Sequence, residues 1–78
     1  MKDILQFLVS NLVKNPKDVK INETNLPTGE ITLELAVNPE DMGMVIGKGG
    51  KIIKAIRNII RTKAILDGKK VNLVLLEQ

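Results

Sequence analysis

The sequence predicts an α+β domain of order α-β-β-α-α-β, a three-stranded sheet with its helices packed on one face. Three observations carry that reading. Ile31, Leu33, Leu35 and Val37 alternate with Thr32, Glu34, Ala36 and Asn38, which is the period of a half-buried strand. Lys51 to Leu66 carries isoleucines at helical spacing and runs into Asp67-Gly68, a stop signal. Between them, Gly47-Lys48-Gly49-Gly50 joins one helical stretch to the next.

The elements follow in order. Ile4, Leu5, Leu8, Leu12 and Val13 predict a helix over Asp3–Lys14, ended by Asn15-Pro16 because the residue before proline is pushed out of the α region. Val19 and Ile21 alternate with Asp18, Lys20 and Asn22, as in a short strand. Residues 24–29, Thr-Asn-Leu-Pro-Thr-Gly, read as a loop. The Ile31–Val37 strand comes next. Asn38-Pro39-Glu40-Asp41 has the form of an N-cap, a first-turn proline and two acids suited to the positive end of a helix. A short helix is expected from there to Val45 or Ile46. The long helix follows the glycine turn, and Val71 to Leu76 forms the last strand, apolar on both faces.

On a wheel of ~100° per residue, Ile52, Ile53, Ile56, Ile59 and Ile60 of the long helix share one broad apolar arc. Lys51, Lys54, Asn58 and Arg61 lie opposite, with Arg57 at the edge, while Lys63 and Ile65 break the pattern. The apolar arc is wider than one sheet face needs. Its Ile52/Ala55/Ile59 edge fits the margin of a subunit contact, and equally an ordinary core with one wet isoleucine.

Composition narrows the chemistry. The chain has 78 residues, one domain's worth over 1–78, and 44% apolar residues to build a core. A domain this short is only marginally buried, so a partner subunit would add stability. Cysteine and histidine are absent, which removes disulfides, thiolate nucleophiles, the commonest metal ligands and the usual neutral-pH base. Glu40 and Asp41 suit capping, and no nucleophile–base pair or metal cluster stands at a useful spacing. Neither catalysis, nor a cofactor, nor a small-molecule substrate is expected. Apolar runs fall well short of the ~20 residues a membrane span needs, and Met1-Lys2-Asp3-Ile4 makes a poor signal peptide, so a cytoplasmic protein is expected.

Charge is distributed unevenly. Residues 1–47 hold four lysines and seven acids, a balance of −3; residues 48–78 hold eight Lys or Arg and two acids, a balance of +6. The basic half begins at the glycine turn. Such asymmetry suits a polyanion on one side of the molecule, though a solvated helix face would look similar.

The turn itself is built for an anionic backbone. Gly47 and Gly50 lack a Cβ at the points of closest approach and allow positive φ. The amides of Gly49, Gly50 and Lys51 stand at the start of the next helix, where unpaired N–H groups and the dipole favour an anion. Lys48 at the tip adds a charge, extended by Lys51 and Lys54. Neither variable position of the turn is acidic. Ile46, Ile53 and inward-leaning residues of the Ile31–Val37 strand would line a groove for bases. Phe7 is the only aromatic, which excludes a stacking platform of the RRM or OB type. A Walker A loop fails on spacing, since only three residues separate Gly43 from Gly47 and Gly49 follows Lys48. The dinucleotide pattern fails because Gly47 and Gly49 are followed by Ile52, and both motifs join strand to helix.

Gly43-Met44-Val45-Ile46-Gly47-Lys48-Gly49-Gly50-Lys51-Ile52-Ile53-Lys54-Ala55-Ile56-Arg57 resembles the motif of the KhpA family of small bacterial single-KH proteins. The likeness extends over the whole chain and implies a type II KH fold. It implies a single-stranded RNA partner and a role as an RNA chaperone in post-transcriptional regulation, touching cell elongation, division and shape. It also implies a homodimer, a heterodimer with the larger KH protein KhpB (Jag or EloR), or both. The phosphate-contacting turn carries over to Gly47, Lys48, Gly49 and Gly50. The basic helix positions carry over to Lys51, Lys54 and Arg57, and the dimer edge to Ile59. Met44 departs from the family, where a basic residue is common. The RNA-binding set is therefore Ile46, Gly47, Lys48, Gly49, Gly50, Lys51, Ile53, Lys54 and Arg57, and the dimer set is Ile52, Ala55 and Ile59. The alternative reading is a protein-interaction module, working as a homodimer or docked on a larger KH-containing partner.

Overall fold

The structure, a computed structural model, describes residues 1–76. Helix α1 spans Lys2–Ser10, strand β1 Lys20–Asn25 and strand β2 Glu30–Ala36; helix α2 spans Met42–Ile46, helix α3 Lys51–Leu66 and strand β3 Lys70–Leu75. Single 3₁₀ turns at Pro16–Asp18, Pro39–Asp41 and Lys48–Gly50 punctuate this order. The sheet order is β1-β2-β3, antiparallel between β1 and β2 and parallel between β2 and β3. The α-β-β-α-α-β order and the three-stranded sheet agree with the sequence reading.

Register explains the layers. Leu33 pairs with Glu23 on one side and Leu73 on the other; Leu35 pairs with Ile21 and Leu75. Successive side chains alternate between faces. Ile31, Leu33, Leu35, Ile21 and Leu73 are buried on the face that packs against the helices, whereas Asn22, Thr24, Asn72 and Val74 on the other face are exposed. Leu5 and Val9 of α1, Val45 of α2, and Ile53, Ile56 and Ile60 of α3 complete the core. The buried line of α3 continues to Ala64, so the helix stays seated on the sheet through its last turn while Ile65 points outward.

Strands β2 and β3 each lie one residue earlier than the sequence reading placed them, and two boundaries differ by more. Helix α1 ends at Ser10, not Lys14. The Asn11 amide side chain donates to the Phe7 carbonyl at 2.7 Å, and the Leu12 N–H bends back to Val9 at 2.9 Å, so the last carbonyls are satisfied early. Strand β1 reaches Asn25, because Thr24 and Asn25 pair with Thr32 and Ile31. The hairpin turn is thereby shortened to Leu26–Gly29, closed by Leu26 N–H to the Glu30 carbonyl at 2.8 Å.

The end of α3 follows expectation. Gly68 adopts φ 70°; its N–H reaches the Ile65 carbonyl and the Lys69 N–H reaches that of Ala64 at 2.8 Å, the two bonds of a Schellman motif.

Candidate nucleic-acid interface

Helix α2 has only five residues, too short to hold its place alone. Its entry is fixed on two sides. Asn38 Oδ1 accepts the Glu40 N–H at 2.8 Å, the N-cap read from the sequence. Asp41 does something the sequence did not disclose. It is buried, and its carboxylate accepts the backbone N–H groups of Lys14 and Asn15 and the Asn15 side-chain amide, each at 3.1 Å. Burial pushes its carboxyl up, but these donors favour the charged form more strongly, and the pKa falls below its ordinary 3.8. Asp41 thus ties the segment after α1 to the start of α2. No local signal marks this, because its partners lie 26 and 27 residues away.

From that anchor, Val45 is fully buried and Ile46 packs against the core from its margin. The chain then reverses at Gly47, with φ 75° and ψ 173°, a region open to glycine alone. A Cβ on Gly47 would lie 2.6 Å from Ile52 Cγ1. Gly49 and Gly50 are left-handed, at φ 65° and 77°, with open space where a Cβ would be. Lys48 and Gly49 form the exposed tip. The turn consumes two of the three amides expected to face an anion: Gly50 N–H donates to the Gly47 carbonyl at 3.1 Å, and Lys51 N–H to that of Lys48. The positive end of α3 and the charge of Lys48 remain for an anion.

Lys51 and Lys54 are exposed along the first turns of α3, and Arg57 is half-buried. Among the described residues the one ion pair is Lys63–Asp67 at 3.3 Å, so no carboxylate neutralises Lys48, Lys51, Lys54 or Arg57. The turn and these cations lie at and near the N-terminal end of α3.

Other residues take different places. Ile53 is 8% exposed and belongs to the core, so it offers a base almost no surface. The inward residues of the Ile31–Val37 stretch are all buried beneath the helices and line no open groove. Ile52, expected at a subunit margin, packs beside Gly47 and against the core. Ala55 and Ile59 are exposed, and so is Leu66, which the sequence reading passed over.

The family model described as "KhpA/KhpB, KH domain" matches residues 2–75. The chain belongs to the KhpA/KhpB KH domain family. It is 49% identical over 71 residues to the RNA-binding protein KhpA of Clostridium perfringens, covering 91% of this chain and 93% of that one. It is 41% identical over 78 residues to the RNA-binding protein KhpA of Chlamydia trachomatis, covering 100% and 99%. The fold is also that of part of Aquifex aeolicus Era bound to GDP and AlF4⁻, with a TM-score of 0.61 at 24% identity. That likeness covers 94% of this chain and 28% of the Era chain. In this KhpA/KhpB-type domain, Gly47-Lys48-Gly49-Gly50 between α2 and α3 has Gly-x-x-Gly spacing. No group of three or more His, Cys, Asp or Glu among the described residues could hold a metal. Among the described residues, no helix is long and apolar enough to cross a membrane.

Proposed function

We propose that this protein is a non-catalytic RNA-binding domain that holds the backbone of single-stranded RNA at Gly47-Lys48-Gly49-Gly50. The observation that carries the reading is the turn itself. Three positive-φ glycines bring bare backbone to the surface at the positive end of a 16-residue helix, beside cations with no carboxylate partner among the described residues. Phosphates lie against the turn, Lys48, Lys51 and Lys54 supply charge, and Arg57 closes one side. Ile46 supplies the apolar wall. KH modules engage about four nucleotides in this way, and affinity falls with salt as cations displace counterions. The names of the KhpA relatives support RNA as the ligand. In the cell the domain acts in the cytoplasm as an RNA chaperone in post-transcriptional regulation, with effects on cell shape, as a homodimer or paired with a KhpB-type (Jag/EloR) protein.

The test is fluorescence anisotropy of short labelled RNAs with wild type and Lys48→Asp/Gly49→Asp. Asp tolerates the left-handed conformation of position 49 better than most residues, so the variant folds, and circular dichroism checks it. Wild type binds and the folded variant does not. Equal binding by both, or binding by neither, sinks the clamp.

A second reading as an interaction module draws on Ile59 and Leu66, which are 48% and 77% exposed on one side of α3. It accompanies RNA binding rather than replacing it.

A further inference from the structure

We propose that the RNA path continues from the glycine turn along α3 to a second contact at its far end, where Arg61, Lys69 and Lys70 surround an apolar notch. This rests on the RNA-binding reading above and extends its footprint. The surface of α3 divides into three stripes about a third of a turn apart. Ile53, Ile56, Ile60 and Ala64 face the sheet. Ala55, Ile59, Thr62 and Leu66 form an exposed, mostly apolar stripe. Lys54, Arg57, Arg61 and Ile65 form the third, at i, i+3, i+7 and i+11. That stripe starts beside Lys51 and runs about 16 Å at 1.5 Å per residue. No acid occurs anywhere between Lys48 and Leu66.

At its end the stripe meets β3. Arg61, Ile65, Lys69, Lys70 and Val71 line a notch of about 360 Å³. The three cations are exposed, and Ile65 is 67% exposed between them. The Schellman bonds from Gly68 and Lys69 fix where the chain turns, so Lys69 and Lys70 stand opposite Arg61 on a defined backbone. Two acids lie close. Asp67 is held by Lys63 at 3.3 Å, and Glu30 is the register neighbour of Lys70 without forming an ion pair with it. Cations without an ion pair among the described residues, set around an exposed aliphatic surface, match the two needs of a nucleotide: phosphate beside the charges, base against Ile65 and Val71 or stacked on the Arg61 guanidinium. Continuity with the turn favours the same RNA strand over a separate acidic protein.

The experiment compares single-stranded RNAs of about four and about ten nucleotides, the shorter matching the turn alone. Binding is measured for wild type and Arg61→Ala/Lys69→Ala/Lys70→Ala across a salt series. The longer RNA loses about tenfold in affinity in the variant, and its log–log salt slope falls by about 2, as expected for three lost single-strand phosphate contacts. The shorter RNA binds both proteins equally. Unchanged affinity for the longer RNA overturns the proposal and leaves the notch to an acidic protein partner. An equal loss for both lengths also overturns it, because it marks diffuse attraction rather than a second contact. Binding of neither RNA by wild type is a different failure, that of the RNA-binding reading itself.

Discussion

The hydrogen of Gly47 that a side chain would replace points at Ile52: a Cβ there would stand 2.6 Å from Ile52 Cγ1 and 2.9 Å from Ile52 Cβ. This contact joins the last residue before the turn tip to the first buried flank of α3. The bare Cα of Gly47 is what lets the chain pass this close to Ile52 as it turns from α2 into α3.

Gly47→Ala therefore carries two penalties, a backbone region open to glycine alone and an overpacked contact. The expected loss is about 2–5 kcal/mol in urea denaturation. Gly49→Ala, left-handed but with nothing within 4 Å of its Cβ, loses about 1–2 kcal/mol. A double-mutant cycle of Gly47→Ala with Ile52→Ala recovers part of the first loss. Equal costs at the two glycines, or strict additivity in the cycle, would show that the Ile52 contact yields freely.

Asp41 sets a pH dependence of stability. Its folded-state pKa lies below the ordinary 3.8, so the contribution is full above that pH and is lost as pH falls through the depressed value. Asp41→Ala leaves the Lys14 and Asn15 amides without their acceptor. The expected drop in Tm at neutral pH is about 5–10 °C. Wild type and variant converge only as pH falls through that depressed value, where the wild-type carboxylate takes up its proton. Parallel Tm–pH curves down to the lowest pH reached would refute the assignment.

These cases explain what the sequence disclosed and what it hid. The limits of α3 were legible because both ends carry local signals, the glycine turn at Lys51 and the Gly68 stop after Leu66. The middle strand was legible because its alternation is uninterrupted, and Asn38-Pro39 announced its own cap. What was misread depended on pairings that periodicity does not report, some local and some distant. The capture of Lys14 and Asn15 by Asp41 spans 27 and 26 residues, and the reach of β1 to Asn25 depends on its pairing with Ile31. Ile53 and Ile52 were placed on one wide arc by periodicity, which cannot say where the sheet ends and the turn begins. The structure separates them, Ile53 into the core and Ile52 under Gly47.

The exposed stripe of α3 yields the last prediction. Ala55, Ile59 and Leu66 lie on one side of the helix, away from both the sheet and the basic stripe. Leu66 at 77% and Ile59 at 48% exposure are costly to leave in water, and a second copy presenting the same stripe would cover them with two-fold symmetry. Ile59→Lys puts a charge into the middle of that contact in both copies. In sedimentation equilibrium, wild type forms dimers and the variant is a monomer whose circular dichroism is unchanged, since Ile59 contributes nothing to the core. Lys48→Asp/Gly49→Asp, at the other end of α3, leaves the association intact. A wild type that stays monomeric at high micromolar concentration removes the homodimer, and the stripe then serves a different protein partner.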